Sequence, residues 1–181
     1  MRALKTVFAV AVSAFFIATA ARTQQKQTSD SEYIAQALSA APEAVAKGAA
    51  VVRVEGNGSV RTLRTGGNGF TCMIMGMDKM CNDRNSMEFI NALMKHVPPP
   101  DKVGISYMLA GDTGASNTDP HAMGKTADNH WIVTGPHIMV FGPPSKTLGY
   151  TEAQDPDTNK PYMMWAGTPY EHAMIPIAPA K

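Results

Sequence analysis

Two segments near the C-terminus repeat the same order of residue types: a Trp, a Gly, a Pro, and then a His two residues before a Met. The two pairs are His137 with Met139 and His172 with Met174. In a β-strand, side chains two residues apart lie on the same face. If the two strands are neighbours, two imidazoles and two thioethers converge on one site.

Imidazole with thioether is a ligand set for copper, because soft sulfur donors suit Cu(I) and imidazole suits copper in either oxidation state. The predicted metal ligands are therefore His137, Met139, His172 and Met174, and the predicted cofactor is copper. A second group of soft donors is found between the two cysteines: Met73, Met75, Met77 and Met80.

Aromatic residues accompany the two His-x-Met segments. Trp131, Trp165 and Tyr170 would border a pocket for a small ligand, since such pockets combine aromatic walls with a few polar groups. The alternative interpretation is structural. A buried histidine often bonds to a carbonyl, aromatic side chains fill ordinary cores, and the 13 methionines can fill irregular gaps.

The alternation of residues also predicts which way each strand faces. Ile138 and Val140 lie on the face opposite His137, and Ile175 lies on the face opposite His172. Branched apolar residues favour a protein's core, so the His/Met faces are expected to look into a cleft or a second, smaller core.

A long polar loop, residues 111–129, offers a different chemistry. Asp112, Asn117 and Asp119 could assist His137 or His172 as a general base, which would make the protein a small hydrolase-type enzyme. The alternative is turn formation, because Asp and Asn close turns with their own backbone. No GxSxG, HExxH or EF-hand pattern is present to fix a reaction.

The elements that must position these groups indicate an α+β fold with an antiparallel sheet. Asn57-Gly58 predicts a tight hairpin and opens a three-stranded meander, to which C-terminal strands are added. Ser29 with Glu32 forms a capping-box pattern, so we expect two or three helices. The predicted helices begin near residues 29, 42 and 82; the predicted strands are 50–55, 59–64, 70–75, 103–110, 132–141, 162–166 and 171–177.

The cysteines, Cys72 and Cys81, are expected to form one disulfide if the protein is exported. A thiolate metal site is the alternative, which the lack of CxxC spacing disfavours.

The N-terminus resembles a signal peptide over residues 1–20. Arg2 and Lys5 precede an apolar stretch, and cleavage is expected after Ala20. Retention of this segment as an anchor is the alternative. The expected organisation is a tether over residues 21–28, followed by a single globular domain over 29–181, in the periplasm or secreted.

The charge balance bears on possible partners. The chain has 16 basic and 15 acidic residues, and loss of Arg2 and Lys5 with the signal peptide would leave 14 basic residues against 15 acidic. There is no basic block, so neither nucleic acid nor an anionic membrane has its usual electrostatic attraction. The predicted partner is a metal ion or a small molecule; the sequence leaves the oligomeric state open.

Overall fold

The computed structural model describes residues 28–180, which form a mostly β structure with an eight-stranded sheet and a separate two-stranded sheet. The predicted signal peptide lies outside the described residues, as does nearly all of the predicted tether. The helices are α1 (Asp30–Leu38), α2 (Glu43–Ala46), α3 (Arg84–Met94) and a 3-10 helix (Pro143–Thr147). The strands are β1 (Ala50–Val54), β2 (Val60–Arg64), β3 (Thr71–Met75), β4 (Asp78–Asn82), β5 (Gly104–Met108), β6 (Ala115–Ser116), β7 (Trp131–Ile132), β8 (His137–Phe141), β9 (Tyr162–Met164) and β10 (His172–Pro176).

Local sequence signals place the first helix and the first hairpin as predicted. The Ser29 hydroxyl accepts a hydrogen bond from the Glu32 N–H, and the Glu32 carboxylate accepts one from the Ser29 N–H, so the capping box is confirmed. Helix α1 then buries Tyr33 and Ala37 against the sheet. The turn at Asn57-Gly58 joins β1 to β2, with Gly58 in the left-handed region at φ 79°.

The strand order corrects the predicted meander. The sheet runs β2-β1-β3-β4-β5-β8-β10-β9, so β1 lies between β2 and β3. Strands β1 and β3 are parallel, with Val51 opposite Cys72, and the sheet is therefore mixed and largely antiparallel. This arrangement gives β1 two neighbours and leaves Val51 and Cys72 completely buried. A simple meander would have placed β1 at the sheet edge.

Strand β4 was not expected from the sequence. It pairs with β3 across a tight turn at Gly76, which has φ 62°. Cys72 lies directly opposite Cys81 in this pairing, and the predicted disulfide joins them. Closing so short a loop stabilises the fold by about 2–3 kcal/mol in the chain-entropy model. The methionine-rich run is thus a β-hairpin, and α3 begins two residues later than predicted.

The two faces of the sheet have separate cores. Helix α1 covers the face that carries the disulfide, where Tyr33, Ala37 and Val51 surround the two cysteines. Helix α3 covers the opposite face with Phe89 and Ile90, over a larger core rich in methionine. In residues 28–180 there is no helix both long enough and apolar enough to cross a membrane.

Candidate functional site

The two His-x-Met segments are neighbouring strands. Strands β8 and β10 pair antiparallel, with Met139 directly opposite Met174 and His137 opposite Pro176. Because Met139 and Met174 face each other, both His/Met faces lie on the same side of the sheet. His137 and Met174 are essentially inaccessible to solvent, and His172 and Met139 are also buried.

The His/Met face, and not the face with the branched residues as expected, belongs to the larger core, and it also borders a cavity, in keeping with the expected cleft. Ile138 and Val140, on the other side of β8, are only half-buried, and Ile177 just after β10 is 54% exposed. The reason is the position of α3, which brings Phe89 and Ile90 over the sulfur-bearing side chains. Burial was therefore decided by which face received a helix, and not by which face carried the branched residues.

A cavity of about 210 Å³ lies between α3 and this face of the sheet. All four predicted metal ligands, His137, Met139, His172 and Met174, contribute to its wall. Of the predicted ligand-pocket residues, Trp165 also lines it. Four more methionines complete the sulfur-rich lining: Met75, Met80, Met108 and Met164.

Both imidazoles are held in the same protonation state and tautomer. The Nδ1 atom of His137 lies 2.7 Å from the carbonyl oxygen of Gly135, and that of His172 lies 2.9 Å from the carbonyl oxygen of Tyr170. A carbonyl can only accept, so Nδ1 carries the proton and donates it. Burial lowers the pKa of His137, and burial together with the charge of His137 lowers the pKa of His172 to about 4. Both rings are therefore neutral at pH 7.

The second nitrogen of each ring is left with a free lone pair. Nε2 of His137 and Nε2 of His172 are buried and have no hydrogen-bond partner among residues 28–180. A buried acceptor without a partner costs about 1–3 kcal/mol, so two of them on one cavity wall call for an explanation. The structural interpretation accounts for Nδ1 of each ring but leaves Nε2 unexplained.

Strand pairing gives each imidazole a methionine that the sequence interpretation missed. Met164 on β9 lies opposite His172, and Met108 on β5 lies opposite His137. Directly paired side chains have their Cβ atoms about 4.5–5.5 Å apart. No local signal marks these two residues as ligands, because their role depends on which strands are neighbours.

The register also sets how far apart the two histidines are. His137 is opposite Pro176, four residues beyond His172 on β10. At about 3.4 Å per residue, their Cα atoms are about 14 Å apart along the strands. One ion bound by both Nε2 atoms would need them roughly 4 Å apart. The backbone thus favours two donor groups, one at each imidazole, with the Met139–Met174 pair between them.

The wall around His172 is aromatic. The ring of His172 lies 5.0 Å from Phe141 and 5.0 Å from Trp165, with Phe89 at 5.8 Å, measured between centroids. Trp165 has a left-handed backbone, φ 55°, and its indole N–H donates to the Ser116 carbonyl at 2.7 Å. Such a conformation costs on the order of 1–3 kcal/mol and commonly occurs at functional sites. The imidazole of His172 is therefore enclosed by aromatic side chains.

The wall near His137 carries carboxylates instead. Asp78 and Asp112 both line the cavity. Burial raises the pKa of Asp112 to about 6; hydrogen bonds from Thr134 and Gly114 oppose this rise, and the charge of Asp78 adds to it. The charge of Asp78 also acts on His137. The cavity therefore has an acidic end and an aromatic end.

The remaining predicted residues do not line the cavity. Asn117 donates to the carbonyls of residues 153 and 154 and accepts from the Trp165 N–H, so it fixes loops. Asp119 accepts from the His121 N–H at 2.9 Å and closes a turn. The Tyr170 hydroxyl donates to a carbonyl at residue 97. Trp131 packs on Gly114, behind the wall.

Among residues 28–180, no three His, Cys, Asp or Glu side chains are grouped so as to hold a metal ion. No protein-family model, curated protein or solved structure matches the chain.

Proposed function

We propose that the protein binds Cu(I) in the cavity between α3 and the sheet. The observation that supports this most strongly is the pair of buried Nε2 atoms, on His137 and His172, that have no partner among residues 28–180, in side chains that line the same cavity as six methionines. An imidazole nitrogen without a hydrogen-bond partner in a buried, methionine-rich space suits a soft ion. Zinc and calcium sites use thiolate or carboxylate ligands instead of thioether.

The donor atoms form two groups. At the aromatic end, His172 is accompanied by Met164 and Met174; at the acidic end, His137 is accompanied by Met108 and Met139. We therefore expect up to two Cu(I) ions per chain, one at each imidazole. The carbonyls of Gly135 and Tyr170 act as outer partners, because they fix the ring tautomer and aim Nε2 at the cavity.

The proposed location is outside the cytoplasm. A disulfide persists in an oxidising compartment, and residues 1–20 have the charge and apolar pattern of an export signal. Thioether ligands suit such a compartment because, unlike thiols, they do not pair into disulfides. The proposed role is capture of copper in the periplasm or outside the cell.

The test is an anaerobic Cu(I) titration of the disulfide-bonded protein against a chromogenic chelator. We expect binding tighter than micromolar and, in the His137→Ala/His172→Ala double variant, loss of that binding. The single variants His137→Ala and His172→Ala should each bind one Cu(I) ion fewer than the wild type. His130→Ala is the matched control, since His130 is held outside the cavity by Asp155 at 2.9 Å. Unchanged binding in the double variant would end the proposal.

A small-ligand role uses the same cavity. Its apolar walls and two acceptor nitrogens would also suit a small apolar molecule that carries a hydrogen-bond donor.

A specific observation favours a second candidate, hydrolase-type chemistry: Asp112, with its pKa raised to about 6, lines the same cavity as His137. A carboxyl group tuned toward neutrality is suited to general acid–base work.

The hydrolase candidate predicts metal-independent turnover of a small ester such as p-nitrophenyl acetate. Asp112→Asn should lower that turnover by about 10²-fold or more, as loss of a group that takes part in general acid–base catalysis does. Asp119→Asn is the control, because Asp119 lies in a turn outside the cavity. Equal turnover in the wild type and the Asp112→Asn variant would rule out this role for Asp112.

A further inference from the structure

The acidic end of the cavity is organised by the turn that follows β5. The Thr113 N–H donates to Oδ1 of Asp78 at 2.8 Å, which ties this turn to the start of β4. Oδ1 of Asp112 accepts from the Gly114 N–H at 3.0 Å and from the Thr134 N–H at 2.9 Å. Both carboxylates are therefore held by backbone N–H groups through Oδ1, and both side chains line the cavity.

The two carboxylates share this end without a basic residue. No lysine or arginine contributes to the cavity wall that residues 28–180 form, whereas Asp78 and Asp112 both do. Burial raises the pKa of Asp112, and the charge of Asp78 raises it further. Like charges held together in a partly buried site disfavour folding unless a positive charge joins them. The negative charge of this end therefore favours a cationic ligand.

An unpartnered acceptor lies at the same end. His137 is 0% exposed, and the charge of Asp78 acts on its imidazole. Its Nδ1 donates to the Gly135 carbonyl, so Nε2 can only accept, and Nε2 has no hydrogen-bond partner among residues 28–180. This buried acceptor points to a ligand independently of the carboxylates, because it requires an N–H or O–H donor.

The remainder of the cavity is apolar. Phe89, Leu93, Phe141 and Trp165 contribute to its wall together with six methionines. Its volume of about 210 Å³ gives room for roughly seven water-sized groups at about 30 Å³ each. A bare ion would leave most of this apolar space unfilled, whereas a short hydrocarbon chain attached to the cation would fill it. The ligand should therefore combine one positive charge with a small apolar body.

We propose that the cavity binds a small primary amine in its protonated form, with the ammonium group at Asp78, Asp112 and His137 and the hydrocarbon chain against Phe89 and Trp165. An ammonium group has three N–H donors, and this end offers three acceptors, which are the two carboxylates and Nε2. Amine binding is a specific form of the small-ligand role proposed above, on which it rests, and it requires no copper.

The test is isothermal titration calorimetry of the metal-free, disulfide-bonded protein with n-hexylamine at neutral pH. This amine matches the size of the cavity and carries a positive charge. We expect it to bind at least about tenfold more tightly than 1-hexanol, which has the same chain without the charge, because hydrogen bonds between ionised groups are stronger than neutral ones. Hexanoate, which carries a negative charge, should bind more weakly than 1-hexanol.

Two variants locate the ammonium group. Asp78→Asn and Asp112→Asn should each weaken n-hexylamine binding by at least about tenfold and leave 1-hexanol binding unchanged. Asn keeps a side-chain oxygen for the backbone N–H groups at both positions, so both variants are expected to fold. Asp119→Asn is the matched control, because it removes the same charge from a turn outside the cavity and should leave n-hexylamine binding unchanged.

The outcomes separate amine binding from the two roles already proposed. Equal affinity for n-hexylamine and 1-hexanol would overturn amine recognition and leave the small-ligand role standing, whereas binding of neither would overturn both. Equal n-hexylamine affinity in the wild type and both cavity variants, or a loss in Asp119→Asn as large as in Asp112→Asn, would also overturn it. Failure of Cu(I) binding is a separate result, because it is measured with copper and through the histidine variants.

Discussion

Replacing Met164 and Met174 together with leucine should weaken Cu(I) binding at the His172 end by at least about tenfold and leave folding stability nearly unchanged. Leucine conserves volume, and such swaps usually cost less than about 1.5 kcal/mol in a core. The thioether sulfur is lost, however, and with it the soft donor. The two effects are measured by chelator competition and by urea unfolding of the metal-free protein.

Leucine is a sharper probe here than alanine. Met174 is 1% exposed and Met164 is 5% exposed, so truncation to alanine would leave a hole in the main core. Buried Met→Ala changes cost about 2–5 kcal/mol, and the resulting loss of structure would itself abolish binding. Only a change that keeps the packing can separate ligation from stability.

The matched control is the neighbouring residue on the same strand. Met163 is 2% exposed, but it faces the other side of β9, opposite Ala173. Met163→Leu should therefore leave both Cu(I) affinity and stability close to the wild-type values. If Met163→Leu weakened copper binding as much as the Met164/Met174 change, the thioethers of the cavity would not be the ligands.

Acid should reveal the buried imidazole of His172. Its pKa is about 4 in the folded protein, against 6.5 for an unperturbed histidine, so the unfolded chain takes up the proton first as pH falls. Above pH 6.5 the neutral imidazole of His172 does not reduce the free energy of unfolding. As pH falls from 6.5 to 4, protonation of the unfolded chain lowers that free energy. At 1.36 kcal/mol per pKa unit, this amounts to about 3 kcal/mol.

The measurement compares metal-free wild type with His172→Met, which cannot titrate and fits a methionine-lined space. The difference between their free energies of unfolding should change by about 3 kcal/mol between pH 7 and pH 4. The wild type should become less stable relative to the variant as pH falls. A difference that stays constant over this range would mean that His172 is accessible to protons in the folded state.

Asp112 should show the opposite dependence and serves as the internal control. Its folded pKa of about 6 exceeds the ordinary value of 3.8, so its carboxyl group disfavours folding increasingly as pH rises through 6. Asp112→Asn should therefore lose about 2 kcal/mol relative to the wild type as pH falls from 7 to 4. The pH-dependent effects of His172 and Asp112 on the free energy of unfolding have opposite signs and partly cancel in the wild type. Single variants are therefore needed to measure each effect.

Several elements were predictable because their signals are local. The capping box at Ser29 and Glu32 satisfies backbone groups within one helical turn, and the Asn57-Gly58 turn requires only its own left-handed glycine. The apolar face of α3, including Phe89 and Ile90, follows from spacing along the helix. The Cys72–Cys81 disulfide followed from having only two cysteines, and the structure contains it.

The wrong predictions concern which strands pair and which face of the sheet a helix covers. Strand β4 was missed because the methionines around it resembled a soft-metal run, and the parallel pairing of β1 with β3 cannot be distinguished by alternation from a meander. The expected burial of the β8 face that carries Ile138 was also wrong, because that face is only half-buried. Alternation shows that two faces differ but does not show which of them a helix will cover.

Side-chain alternation is a property of the strand alone, so the spacing of residues was enough to put His137 on one face with Met139, and His172 with Met174. Contacts in the folded protein decide that these faces adjoin, that Met108 and Met164 join them, and that the Cα atoms of the two histidines stand about 14 Å apart along the sheet. The physical reason is that register and layer packing arise from contacts between residues far apart in the chain, and no local pattern encodes those contacts.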